Sequence, residues 1–81
     1  MDQKEKVTIY STPTCVYCRM AKDFFKKQGI AYDEKDVSTD LAAQQEMIAS
    51  SGQMGVPVIR IGEKIIIGFD QPRIKEALGI Q

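Results

Sequence analysis

Apolar positions along the chain change period several times, and each change marks an element. Val7-Thr8-Ile9-Tyr10 is a β-branched and aromatic run stopped by Ser11-Thr12-Pro13, which predicts a strand. From about Cys15 to Gln28 the spacing becomes helical, with Tyr17, Met20, Ala21, Phe24 and Phe25 recurring three or four apart and Gly29 supplying the stop. Ile30 to Val37 reads as a weaker strand, rich in charge and suited to a sheet edge. Ser38-Thr39-Asp40 then offers caps for a second helix that carries Leu41, Met47 and Ile48 and ends near Gly52.

The last third is different in kind. Val56 to Ile61 and Lys64 to Ile67 are β-branched runs separated by Gly62-Glu63, a compact hairpin signal. Asp70 is placed to cap a final helix in which Ile74, Ala77 and Leu78 share one face, with Gly79 as terminator. The order is β-α-β-α-β-β-α. A helical crossover makes the first two strands parallel, and the hairpin makes the last two antiparallel. The simplest packing is an α/β domain with a four-stranded mixed sheet flanked by three helices, using both faces. There is no repeat, low-complexity tract or linker, so residues 1–81 are expected to form a single domain.

Composition narrows the functions. A chain of 81 residues can build one modest core. Eleven basic residues balance eleven acidic ones, which leaves no net charge to hold nucleic acid or an anionic membrane surface. No run approaches the ~20 apolar residues that span a bilayer. The polar start, Met1 to Lys6, is followed by no apolar run of signal-peptide length, so a cytoplasmic location and no membrane or nucleic-acid partner are expected.

The chemistry lies in two cysteines, Cys15-Val16-Tyr17-Cys18, in a chain with no histidine. A bridge across so short a loop restrains the unfolded chain little, so it serves poorly as a structural staple. The pair falls where a strand gives way to a helix, whose unsatisfied N–H groups and partial positive charge favour a thiolate at Cys15. By helical spacing Cys15 shares a face with Arg19 and Lys22, whereas Cys18 lines up with the apolar Ala21 and Phe25. An exposed attacking sulfur with a covered partner one turn away is the arrangement that disulfide exchange needs. The other readings are inert core thiols or half of a metal or iron–sulfur site; the latter needs four ligands, which a second copy or an external thiol would have to complete.

Tyr10 to Cys18 after a first strand, Gly55-Val56-Pro57 before a third, and Gly68-Phe69-Asp70 before a last helix resemble the glutaredoxins, and in particular the short bacterial glutaredoxin-like redoxins. The resemblance runs from Val7 to Ile80 and implies the thioredoxin fold. It implies Cys15 as nucleophile and Cys18 as resolving thiol; apart from the resemblance, no metal site is expected, because a four-ligand set is missing. It also implies a cis Val56–Pro57 bond whose preceding backbone pairs with an incoming peptide or glutathione, and Tyr17, Phe69 and Asp70 as further substrate or glutathione contacts. Asp70 can serve as a helix cap at the same time.

The chain departs from the family pattern at four places. Val16 replaces the usual proline after the first cysteine, Thr12 replaces a common lysine, Gly55 stands where threonine is usual, and Ile67 precedes Gly68 where a second glycine is common. The changes at Thr12 and Gly55 remove glutathione contacts, while Arg19, Lys22 or Lys26 offer positive charge. Family members without the proline sometimes share an iron–sulfur cluster between two chains. The expected activity is reduction of protein or glutathione mixed disulfides by a monomer with no tightly bound cofactor. Glutathione or a thioredoxin-reductase-type flavoenzyme is expected to donate electrons. A cluster or metal carrier built as a dimer and a redox-sensing interaction module without turnover are the alternatives.

Overall fold

Val7–Ser11 forms the first strand, β1, and all five of its residues are buried. The reason is its place in the sheet of the computed structural model, which describes residues 5–79; residues 1–4 and 80–81, the ends of the expected domain, and Ile80, the end of the family resemblance, lie outside the described residues. The remaining elements are α1 (Val16–Lys27), β2 (Asp33–Asp36), α2 (Leu41–Ser51), β3 (Val58–Ile61), β4 (Lys64–Ile67) and α3 (Gln71–Leu78). The sheet order is β2-β1-β3-β4. β1 pairs in parallel with β2, Thr8 opposite Asp33, and antiparallel with β3, Ile9 opposite Ile59. β3 and β4 form the expected antiparallel hairpin, with Ile59 opposite Ile66.

Strand alternation sends side chains to two cores. Val7, Ile9, Ile59, Ile61 and Ile66 pack with Ala21 and Phe25 of α1 and Ile74 of α3. Tyr10 and Val58 on the opposite face pack with Val37 and with Ala43 and Met47 of α2. Helices therefore cover both faces, two on one side and one on the other, as expected from the sequence.

Several boundaries differ from the sequence reading for identifiable reasons. β2 spans four residues rather than the whole of Ile30 to Val37. Ile30 instead closes α1, donating its N–H to the Phe25 carbonyl at 2.9 Å, and Tyr32 packs against the core beside the Phe25 ring. β3 starts at Val58 rather than Val56, since Pro57 has no N–H to give a ladder. Of the apolar residues expected in α2, Leu41 is exposed, and Ala43 and Met47 form the buried face. The caps are where the sequence put them. Asp40 accepts the Ala43 N–H at 3.0 Å, and Gly52 takes the left-handed conformation, φ 73°, that ends α2.

One polar tie joins the sheet to α2. The Tyr10 hydroxyl, on a wholly buried side chain, donates to Glu46 Oε1 at 2.5 Å, and Lys35 Nζ holds the same oxygen at 3.1 Å. Burial, then the Glu46 contact, pushes the Tyr10 phenol up to about 12, and the Tyr10 and Lys35 hydrogen bonds hold Glu46 below the usual carboxylate range. A phenol raised in the folded state stabilises fully below its unfolded value and loses that contribution as pH rises through the folded one. Tyr10→Phe is therefore expected to cost about 1–3 kcal/mol at pH 8. Urea unfolding of both proteins should show the gap narrowing from about pH 10 towards pH 12; a gap independent of pH contradicts this account.

Candidate active site

The buried end of β1 delivers the chain into the turn Thr12-Pro13-Thr14, which is closed by the Cys15 N–H donating to the Thr12 carbonyl at 3.3 Å. Cys15 is the N-cap of α1 rather than its first helical residue, with φ −84° and ψ 113°. Its carbonyl receives the first helical bond from Arg19 at 3.2 Å. Its Sγ accepts the Cys18 N–H at 3.1 Å, so a sulfur fills the role usually taken by a serine or aspartate oxygen.

The two sulfurs differ in access and protonation. Cys15 is half-buried and Cys18 is 0% exposed, and both are free thiols. Burial, followed by the neighbouring Cys15 sulfur, pushes the Cys18 thiol up to about 12; a Thr12 backbone hydrogen bond and the Lys22 charge pull the other way. At neutral pH Cys18 is thus a protonated thiol.

The positive charge expected around Cys15 is distributed differently. Lys22 reaches Glu34 of β2, Nζ to Oε2 at 2.8 Å, and Ser11 Oγ donates to the same oxygen at 3.3 Å. Arg19 and Lys26 are exposed. No local pattern links Lys22 to Glu34, since the partners are twelve residues apart on different elements.

Of the expected contact residues, Tyr17, Phe69 and Asp70 line one shallow groove together with Met20 and Ile67. Met20 and Ile67 were missed as groove residues. Met20, one of the apolar positions at helical spacing in α1, is 45% exposed, and Ile67 ends β4 facing outwards at 55%. Phe69 has a second role: its ring packs edge-on against Phe24 at 5.9 Å and fixes that side of the groove. Asp70 caps α3, accepting the Arg73 N–H at 3.3 Å, and lies 3.6 Å from the Arg73 guanidinium. Val56 and Pro57 do not line this groove but sit in the loop entering β3, across a cis bond. The Pro57 carbonyl accepts the Gly68 N–H at 2.8 Å, tying that loop to the segment leading into Phe69. Among the described residues, no three His, Cys, Asp or Glu side chains are grouped to hold a metal ion, and no helix is long and apolar enough to cross a membrane.

A mixed sheet in this order, with a Cys-x-x-Cys pair at the start of its first helix, defines a thioredoxin-like dithiol protein. The family model for glutaredoxin matches residues 7–66, and the chain belongs to the glutaredoxin family. It is similar to a glutaredoxin of Neisseria meningitidis, 40% identical over 78 residues that cover 94% of this chain and 92% of the relative. Among solved structures, a mutant of the thioredoxin-like protein BC3987 superposes with a TM-score of 0.89 at 29% identity, covering 94% of this chain and 97% of that one. A buckwheat glutaredoxin in complex with glutathione gives 0.73 at 28%, covering 95% and 73%.

The difference between the two thiols has a direct readout. Iodoacetamide at pH 7.5 should place a single adduct on the reduced native protein, at Cys15, with Cys18 reacting only on unfolding. Peptide mapping by mass spectrometry checks this, and equal labelling of both thiols would contradict the assigned burial.

Proposed function

We propose that the protein reduces disulfides by dithiol exchange, Cys15 attacking and Cys18 resolving. The observation that carries this is the pair itself: an accessible sulfur at the N-cap of α1, hydrogen-bonded to the backbone of a wholly buried second cysteine. In the first step the Cys15 thiolate attacks a substrate disulfide, forms a mixed disulfide and expels one substrate thiolate. In the second step Cys18, as thiolate, attacks Cys15 Sγ and releases the other substrate thiolate. The substrate gains two electrons and the protein ends with a Cys15–Cys18 disulfide.

Glutathione is the electron donor in this reading, bound weakly. The groove of Tyr17, Phe69 and Asp70 suits a small peptide-like ligand. The Val56 main chain makes no hydrogen bond among the described residues and is free to pair with such a ligand. The related buckwheat protein is a glutathione complex. Weak binding follows from threonine at position 12 and from the capture of Lys22 by Glu34. The protein acts as a monomer in the cytoplasm, on disulfide-containing proteins or glutathione mixed disulfides.

Three measurements test this. Cys15→Ser should abolish exchange with every disulfide, and substantial residual turnover would reverse the two assignments. Cys18→Ser should keep reduction of glutathione mixed disulfides, which a second glutathione can complete, and lose efficient reduction of protein disulfides, for which an intramolecular thiol has a large advantage in effective concentration. Oxidised wild type should be reduced by glutathione with glutathione reductase. Reduction only by thioredoxin reductase with NADPH would replace glutathione by the flavoenzyme as donor.

A further inference from the structure

A resolving thiol that is wholly buried poses a problem for the second step, because only the thiolate attacks and burial, the largest cause of the raised Cys18 value, persists once Cys15 is bonded to substrate. Among the described residues, Lys22 is the cation whose charge reaches Cys18. Lys22 follows Cys18 by four residues on α1, a spacing that places Cβ atoms about 5–6 Å apart on one face. Its ammonium charge favours the thiolate form of Cys18, though more weakly than burial and the Cys15 sulfur oppose it. The lysine is itself confined: its side chain is only 22% exposed and its Nζ lies 2.8 Å from Glu34 Oε2. Glu34 is in turn positioned by Ser11, a buried polar residue at the end of β1, one residue before the Thr12 backbone that contacts Cys18. The groups facing Lys22 are thus Cys18 from α1, Glu34 and Asp36 from β2, and Tyr32 just before β2.

We propose that Lys22 is the positioning residue for the resolving step: its ammonium stabilises the negative charge that Cys18 must acquire, and Glu34 sets how much of that charge Cys18 receives. This rests on the exchange reading above and assigns it a control point. Cys18–SH loses its proton to solvent, the thiolate attacks Cys15 Sγ of the mixed disulfide, the Cys15–Cys18 bond forms, and the leaving substrate thiolate takes up a proton. Lys22 stays protonated throughout. Its role is electrostatic, and it neither gives nor takes the proton.

The arrangement separates the two steps energetically. Charge at Lys22 acts on Cys18, and no comparable effect is expected on the attack by Cys15. Neutralising Lys22 should slow resolution alone, and neutralising Glu34 should speed it by releasing Lys22 towards the sulfur. A unit change in the thiol's proton affinity alters the thiolate fraction tenfold, partly offset by the greater nucleophilicity of a more basic sulfur, so rate changes of about three- to tenfold are expected.

Ellman's reagent provides a test that needs no physiological substrate. Mixed with the reduced protein, it should release one thionitrobenzoate as Cys15 is captured and a second as Cys18 resolves the adduct, two phases followed at 412 nm in a stopped-flow instrument. Lys22→Met should leave the first phase unchanged, slow the second about three- to tenfold and displace its pH profile upwards. Lys22→Arg should restore it, and Glu34→Gln should accelerate it and displace the profile downwards. A second phase unaltered in Lys22→Met, or both phases slowed together, would overturn the proposal. If circular dichroism shows that Lys22→Met does not fold, an unchanged second phase in Glu34→Gln overturns it equally. Wild type lacking even the first phase would refute the exchange reading itself, and the role of Lys22 with it.

Discussion

The hydrogen bond from the Cys18 N–H to the Cys15 sulfur organises the site. A helix begins with N–H groups that have no intrahelical partner, and the first of the two cysteines occupies the cap position where such groups converge. Helical geometry then fixes the second cysteine one turn along, turned inwards, where Ala21 and Phe25 continue the buried face. One sulfur is thereby open to a substrate and the other sealed, although the two are separated by only two residues. The chemistry proposed here depends on that inequality.

The rest of the fold keeps the cap in place. β1 is paired on both edges and covered on both faces, so the turn after Ser11 leaves the most constrained strand of the sheet. Phe25 and Ile74 press α1 and α3 against the same side of the sheet, and the Phe24–Phe69 contact joins the back of α1 to the segment entering α3. The groove is the gap left between these packed elements, with Tyr17 and Met20 of α1 on one wall and Ile67 and Asp70 on the other. The Gly68–Pro57 hydrogen bond connects that wall to the loop before β3. Positions distant in sequence form one surface because the sheet order brings the ends of β1, β3 and β4 together.

Element order was legible because the hydrophobic period switches between two and about 3.6 at nearly every boundary, with Asp40, Gly52, Asp70 and Gly79 marking ends. β2 was the least legible strand, since its Asp-Glu-Lys-Asp sequence carries no apolar alternation and its position is dictated by pairing with β1. The asymmetry of the cysteines followed from helical spacing. The convergence of Tyr17, Phe69 and Asp70 followed only from the resemblance to a family, because no local pattern links positions some fifty residues apart. The partner of Lys22 was illegible for the same reason: spacing put the lysine near the dithiol, but Glu34 reaches it across the sheet edge and holds part of its charge away from the cysteines. Met20 shows a further limit, as an apolar residue at helical spacing can face either a core or an open groove.

The central claim is that substrate sulfur bonds first to Cys15 and never directly to Cys18. Rapid acid quenching of the reduced wild-type protein within milliseconds of mixing with a peptide disulfide, followed by mass-spectrometric mapping of the trapped adduct, tests it most directly. The account predicts that every mixed disulfide captured at early times lies on Cys15, and that it gives way to the Cys15–Cys18 disulfide. Substrate captured on Cys18 at early times would contradict it.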